Sequence, residues 1–577
     1  MQLKKLKNYL DKVFFIINKF DKKKIIFLGI LIFMSMLLEV LSIGLIIPVL
    51  GVIENENFLK DIFSSSQFIH SLNHISQVYL IVALLCLTFF FKTIFGIFLN
   101  YNQNKYTTFL QAKISSLLMS QYLFMPYKNY FKRNSSELLR NVKDECGSLI
   151  FGVISPMLNL LIETLIILGI TTLLVFQIGS ISFLIIFFLS MFGLIYIKFT
   201  KKIINRLGNE RFLYDEKIIK KTNELFYNIR DIKIYYLQNY YLKNFSNVLN
   251  NYASVVKKFL TLQILPRLGI ELLLVLIFSI FLVLLTLQDV PFNKVVSTLA
   301  LFAVASFRLM PSINRVITSQ QVLRYHVPSV EEIFKEIQHN YYAQSDKEHL
   351  KIKFKKVIEL KNINFRYSDN KKILNNLSLK IYSKDKIGII GDTGSGKSTI
   401  IDIISGLLTP QSGKIFIDSK ITNFKKYNWG NGIGYVSQNT TLTDDTIKAN
   451  IILGRNYNEE NLKKLDEVLK NVHLNVFINS LKKKINTIVG DRGINLSGGQ
   501  KQRIGLARAL YDNPKILILD EAFSALDNKT EKKILNRILL QYKNMTILNI
   551  AHKGSSLGYC DKIFVLKNGK LIKKSGN

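Results

Sequence analysis

Two short stretches carry residues whose types and order suit them to hold a polyphosphate. In KIGIIGDTGSGKSTIIDIISGLL a mostly apolar strand at 387–390 runs into Gly391, Thr393, Gly394, Ser395 and Gly396, after which Lys397, Ser398 and Thr399 open a helix. Glycines let successive backbone N–H groups turn inward, the helix start favours negative charge, Lys397 reaches the outer phosphates, and Ser398 offers an oxygen to Mg²⁺. Strand, loop and helix in that order predict a nucleotide site of the Walker A type. Further along, KILILDEAF ends an apolar run in Asp520 and Glu521. One carboxylate serves a metal ion and its neighbour polarises an attacking water.

A third stretch raises a different question. SFRLMPSINRVITS, residues 306–319, holds Arg308 and Arg315 with Pro311 between them in an otherwise apolar segment. An arginine at the centre of a bilayer costs about 2.5–3.5 kcal/mol on insertion scales. A separation of seven residues puts the two on nearly one helical face, ~10 Å apart along the axis. Lys92, in LTFFFKTIFG, and Arg267, in LPRLGIELL, add further cations, and Glu39, Glu163 and Glu271 add acids. Either the cations pair with those acids and lock a helix bundle, or they line a hydrated cavity that receives an anionic cargo. Arginine forks fit phosphate oxygens best.

These residues need two kinds of support. The chain has 577 residues, too many for one growing core, so at least two domains are expected. A membrane helix needs ~20 mostly apolar residues, and six segments qualify, at about 26–53, 78–99, 150–176, 181–199, 268–288 and 295–318. The segments after the second and fourth are long and rich in Lys and Arg, while the others are short or poor in positive charge, which puts both termini on the cytoplasmic side. The intervening stretches 100–147 and 200–258 keep a helical pattern, so the spans should continue into the cytoplasm as two hairpins. In 58–72 the apolar residues fall on one side of a short helix, which fits either a membrane-surface helix or a packed loop helix. The expected layout is a transmembrane domain at 1–337, a polar linker at 338–350 and a nucleotide-binding domain at 351–577. Its fold class is a membrane α-helical bundle followed by an α/β P-loop ATPase domain.

Lys and Arg exceed Asp and Glu by 77 to 41, a formal charge of +36. Many of these cations flank hydrophobic segments, where anionic lipid attracts them, so the charge does not call for nucleic acid as a partner. The cysteines, Cys86, Cys146 and Cys560, have neither disulfide nor zinc spacing. The first twenty residues hold scattered charges and no small-residue cleavage site, so no removable signal peptide is expected there.

Between the two nucleotide motifs lies VGDRGINLSGGQKQRIGLARAL, and with it the chain resembles the ATP-binding cassette (ABC) family. Residues 496–500 read LSGGQ, the family signature, and the motifs come in the family's order. By the same resemblance Tyr367 is the aromatic that stacks on adenine, Gln438 the Q-loop glutamine, Asp527 the D-loop aspartate and His552 the switch histidine. Ser398, Gln438 and Asp520 are the implied Mg²⁺ ligands, and Glu521, His552 and Lys397 the implied catalytic set. Ser497, Gly498, Gly499 and Gln500 would meet the γ-phosphate held by a second copy, so one cassette per chain implies a homodimer binding ATP. Two departures are visible, Phe523 where the family usually has Thr and KGSS after His552.

Six spans fused ahead of one cassette resemble an ABC exporter, with coupling segments expected near 128–136 and 225–233. The stretch around Arg308 and Arg315, with LLEVLSIGLIIPVLGVI in the first span, is most similar to bacterial flippases of lipid-linked oligosaccharides in protein N-glycosylation. That resemblance implies a multi-pass protein of the bacterial inner membrane and a polyprenyl-diphosphate-linked glycan as cargo. It also implies a membrane-lipid partner and a substrate site of Lys92, Arg267, Arg308 and Arg315, although Lys92 lacks the bidentate geometry of arginine. A multidrug, lipid or peptide exporter is the competing expectation.

Overall fold

The computed structural model describes residues 11–16, 22–54, 73–131, 133–178, 181–287, 292–339, 350–367, 372–424, 427–455, 459–551 and 557–573. His552, the amphipathic stretch 58–72, most of the linker and the side chain of Arg308 fall outside that description. The chain divides into two compact units. The first runs over Met1–Met125 and Arg133–Ala343, and the second joins Gln344–Asn577 to the short segment that starts at Pro126.

The first unit is helical throughout its described length. Its longest helices are His74–Leu123 (50 residues), Ile181–Tyr227 (47 residues) and Gln238–Leu287 (50 residues). At 1.5 Å per residue a 50-residue helix is ~75 Å long, more than twice the hydrocarbon thickness of a bilayer, so an extension of the helices beyond the bilayer follows from length alone. Among the described residues, Lys23–Gly44, His74–Leu123, Ser135–Leu173 and Gln238–Ile280 are long and apolar enough to cross a membrane. The expected fourth and sixth spans lie along Ile181–Tyr227 and Phe292–Tyr325, whose side chains are described only in part. Helix Phe292–Tyr325 continues through Pro311.

Charges are buried in the helical stem of this unit. Asn141–Glu145 and Ile150–Ile154 are π-helical, a widening that no periodicity in the sequence announced. Glu145 ends the first of these with no solvent exposure, 3.8 Å from Arg140 Nε and 3.7 Å from Arg211 Nη2. Arg140 also reaches Glu216 at 2.8 Å, and Arg211 donates to Ser148 and Ser329. Burial holds the Glu145 carboxyl above the usual carboxylate range. Burial pushes Asp215 up to about 6, with Arg211 lowering it and Glu145 raising it. Gly208 is required here, because a Cβ would lie 2.4 Å from the Tyr325 carbonyl oxygen.

The second unit is an α/β fold. Its main sheet runs in the order Lys570–Lys573, Lys562–Lys567, Lys386–Ile390, Thr546–Ala551, Ile516–Asp520, Ile433–Val436, parallel except for the first pair. Strands ILILD and TILNIA are buried at every position, as expected of parallel strands covered on both faces. Val357–Arg366, Lys372–Tyr382, Ser412–Ile417 and Lys420–Ile421 form a second, antiparallel sheet. Along Lys372–Tyr382 Leu377, Leu379 and Ile381 point into the core while Ser378, Lys380 and Tyr382 point out. The central parallel strands carry Gly391, Asp520 and Gln438 at their carboxyl ends, the edge at which open α/β sheets bind ligands.

Candidate functional site: a P-loop and two carboxylates

Strand Lys386–Ile390 leads through the glycine loop to helix Lys397–Ile404. Gly396 caps this helix at φ 105°, a left-handed value, and Gly394 sits at φ 80°. The Lys397 side chain folds back over the loop, where its Nζ donates to the carbonyl oxygens of Gly391 (2.6 Å) and Asp392 (3.0 Å). Burial lowers its pKa, while Glu521, Asp520 and Asp392 act in the opposite direction. A cation satisfied by neutral carbonyls can turn to phosphate without leaving an acid unpaired.

Asp520 closes strand Ile516–Asp520 and is buried. Glu521 follows with φ 51°, a strained conformation for a side chain of its size, and its N–H donates to the Ile550 carbonyl at 3.0 Å. The two carboxylates are engaged by different donors. Gln438, just past the neighbouring strand Ile433–Val436, donates from Nε2 to Glu521 Oε2 at 2.7 Å. Tyr435 donates to Asp520 Oδ2 at 3.3 Å. Three sequence-predicted residues, Gln438, Asp520 and Glu521, are therefore brought together at one sheet edge. Tyr435 was missed, although its position three residues before Gln438 in the same strand run was visible.

The donor set fits Mg²⁺. Ser398 Oγ, the Asp520 carboxylate and the Gln438 amide oxygen are all hard oxygen ligands, and the Gln438 amide nitrogen is already committed to Glu521. Tyr367 places its hydroxyl 3.3 Å from Thr399 Oγ1, so the aromatic expected at the base lies against the helix that opens with Lys397.

The signature residues have local work of their own. Ser497 caps helix Gly498–Leu510, with Gln500 N–H donating to Ser497 Oγ at 3.3 Å and Ser497 N–H donating to Gln500 Oε1 at 2.8 Å. This reciprocal capping box was legible as S-x-x-Q. Gly499 is needed for packing as well, since a Cβ would meet Leu526 Cδ2 at 2.9 Å. Gln502, which sequence reasoning passed over, ties the same helix to Ser524 and to the Ala525 N–H at 2.9 Å each. Asp527 caps the next helix by accepting from Thr530 N–H at 2.9 Å, and these N–H groups hold its carboxyl below the usual range. Phe523, the departure from the family pattern, is buried in the core beneath the signature helix.

In the first unit three of the cations singled out from sequence have carboxylate partners. Lys92 Nζ lies 2.8 Å from Glu39 Oε1, Arg315 Nε 2.6 Å from Glu163 Oε1, and Arg267 Nε 2.9 Å from Glu271 Oε1. The counter-ions offered by Glu39, Glu163 and Glu271 are thus taken up one by one.

A helical membrane unit joined to a P-loop unit with adjacent carboxylates and an SGGQ-capped helix defines the class of ATP-binding cassette proteins with a membrane domain. The chain belongs to the ABC transporter family: residues 20–309 match the ABC transporter transmembrane region and residues 374–524 the ABC transporter domain. A Rickettsia typhi protein provisionally named an export ATP-binding/permease protein is 41% identical over 239 residues, 41% of this chain and 40% of that protein. The multidrug resistance-like ATP-binding protein MdlB of Buchnera aphidicola is 38% identical over 269 residues, 46% of this chain and 45% of that protein. An ATP-dependent lipid A-core flippase of Saccharophagus degradans is 32% identical over 393 residues, 67% of this chain and 64% of that protein. The chain thus spans from about two fifths to just under two thirds of these curated relatives. The solved structure of a bacterial Atm1-family ABC exporter with ATP bound covers 96% of the chain, and the chain covers 95% of it, with TM-score 0.79 and 19% identity. The fold is that of an ABC exporter.

Proposed function

We propose that this protein is an ATP-driven exporter of the bacterial inner membrane that works as a homodimer and flips an amphiphilic lipid with an anionic head group. The carrying observation is the sheet edge at which Lys397, Asp520, Gln438 and Glu521 converge. Lys397 exchanges its two loop carbonyls for phosphate oxygens, and the glycine loop supplies N–H donors to the same anion. Glu521, held by Gln438, orients the attacking water and draws off its proton. His552 takes the γ-phosphate side, as the resemblance implies. Ser398, Gln438 and Asp520 would hold Mg²⁺, which would supply charge neutralisation at the phosphates. Ser497, Gly498 and Gly499 of a second copy complete the site, and Asp527 lies in the connecting loop. Both termini face the cytoplasm in this reading.

For the cargo we propose a polyprenyl-diphosphate-linked oligosaccharide, moved from the cytoplasmic to the outer leaflet. Its support is the resemblance around Arg308 and Arg315 and the relative named a lipid A-core flippase. Lys92, Arg267, Arg308 and Arg315 receive the diphosphate by exchanging carboxylate for phosphate. Exchange is easiest at Arg267, whose pair with Glu271 is open (64% and 41% exposed). It is harder at Arg315, half-exposed against a buried Glu163, and hardest at Lys92, 24% exposed against Glu39 at 5%. A multidrug exporter is the second reading, favoured by the same neutralised pairs, because a charge-balanced cavity suits a weakly charged cargo.

The test is a proteoliposome assay in which labelled lipid-linked oligosaccharide becomes accessible to an enzyme on the opposite face, with and without ATP. ATP-dependent translocation that falls in Arg315→Ala supports the flippase reading. Transport of a neutral drug with no movement of any polyprenyl-diphosphate glycan supports the multidrug reading instead.

A further inference from the structure

The residues after Pro126 are contributed by the turn between the first long cytoplasmic hairpin's helices, yet they group with the nucleotide-binding unit. They form a single short helical turn, Tyr127–Tyr130, followed by Phe131. Three rings meet there. Tyr127 stands edge-on to Phe131, with centroids 5.1 Å apart and planes at 77°. Phe131 stands edge-on to Tyr367, at 5.4 Å and 72°. The other neighbour of Tyr367 is Phe365 of its own strand run, at 5.0 Å and 86°.

Tyr367 is therefore held at three points: by Phe365 from its own sheet, by the Thr399 hydroxyl at 3.3 Å, and by Phe131 from a distant part of the sequence. The first two are built into the nucleotide-binding unit itself. The third comes from the turn after Pro126, distant in sequence but grouped with the same unit, and Phe131 is otherwise exposed. A second observation puts the same turn within electrostatic reach of the P-loop helix. The Tyr127 phenol has its pKa raised by burial and then by Asp402, three residues beyond Thr399 on helix Lys397–Ile404.

We propose that Phe131 is a positioning residue for nucleotide binding: its edge-on contact fixes the ring of Tyr367 against Thr399 so that one face stays presented to the purine. An aromatic ring with two χ angles loses little freedom when one neighbour already restrains it, so a pre-set Tyr367 binds a base more tightly than a mobile one. Edge-on pairs contribute about 0.5–1.5 kcal/mol beyond their area, which is a two- to tenfold effect on affinity. Phe131 touches neither phosphate nor the carboxylates, so its influence falls on ground-state binding and not on the chemical step. This proposal rests on the reading of the site as an ATP site.

The experiment uses the full chain in lipid nanodiscs and measures ATP hydrolysis over a range of ATP concentrations, together with direct binding of ATP by calorimetry. Phe131→Ala is expected to raise KM and Kd for ATP two- to tenfold with a much smaller change in kcat, and Phe131→Tyr to restore both. Tyr367→Ala should weaken ATP by more, and adding Phe131→Ala to it should cost nothing further, because the ring that Phe131 restrains is gone. Equal ATP affinity in wild type and Phe131→Ala overturns the inference while leaving the ATPase reading intact. So does a full multiplication of the two single effects in the double variant, which marks Phe131 as an independent contributor. Phe131→Leu, which keeps the volume, separates ring geometry from packing: affinity at the wild-type level in this variant also overturns the proposal. Failure of the wild-type chain to bind ATP at all overturns the ATPase reading and this inference together.

Discussion

Lys397 and Lys92 are the same side chain in two surroundings, and their partners differ in kind. In the nucleotide-binding unit Lys397 donates to two neutral backbone carbonyls. In the membrane unit Lys92 faces the charged and nearly buried Glu39, with the Phe89 ring 4.8 Å from its ammonium. A carbonyl left by its lysine keeps no net charge, so phosphate can take its place at small cost. A carboxylate left by its lysine inside the bundle is an uncompensated charge, and that loss opposes exchange. The P-loop is thus arranged for an anion to arrive, whereas the membrane pairs are arranged to stay closed until a strong anion or a rearrangement opens them.

Five substitutions test this contrast. The largest effect is expected in the catalytic centre, where Glu521→Gln should lower ATP turnover by about 10²–10⁴-fold while ATP still binds. Phosphate release and nucleotide retention measured side by side check it, and turnover near wild type would remove Glu521 from its role. Next comes Glu39→Gln, which leaves Lys92 without its buried counter-ion and should cost about 3–5 kcal/mol of stability. The open pair gives the contrast: Glu271→Gln should cost no more than about 1 kcal/mol. Thermal unfolding of both variants in the same detergent decides, and equal losses would erase the distinction between closed and open pairs.

A third prediction concerns pH in the stem. Burial raises Asp215 from 3.8 to about 6, so its ionised form is disfavoured by folding. The stabilising contribution of the protonated form is complete below pH 3.8 and is lost as pH rises through about 6. Asp215→Asn should therefore raise the unfolding temperature at pH 8, by the equivalent of about 1–2 kcal/mol, with the gain shrinking toward pH 4. A gain independent of pH would assign the effect to packing. A change as small as that at Glu271 is expected for Ser497→Ala, which removes one half of the signature capping box and should destabilise its helix by about 1 kcal/mol. Hydrogen exchange at the start of helix Gly498–Leu510 measures that loss locally.

How much was legible depended on distance along the chain. The P-loop could be read because its donors are consecutive residues and a glycine pattern alone sets their directions. The Asp520 and Glu521 pair could be read because an apolar strand must end where two carboxylates begin. The extension of the membrane helices followed from helical periodicity that continued past the apolar runs. The π-helical turns at Asn141–Glu145 and Ile150–Ile154 could not be read, since one added residue per turn leaves no mark in composition. Tyr435 on Asp520 and Phe131 on Tyr367 escaped as well, because each joins residues far apart in sequence.

By itself, then, the sequence determined the order of the two units, the membrane helices, and the residues proposed to hold ATP and Mg²⁺, since each depends on local spacing and on the dislike of charge for hydrocarbon. It also showed that cations and acids share the membrane segments. Only the tertiary structure decided which acid meets which cation. Lys92 with Glu39 and Arg315 with Glu163 come from different helices and are brought together by packing, whereas Arg267 and Glu271 stand one turn apart and pair along a single helix. An ion pair between helices is fixed by how the helices pack, and packing is a property of the folded chain as a whole.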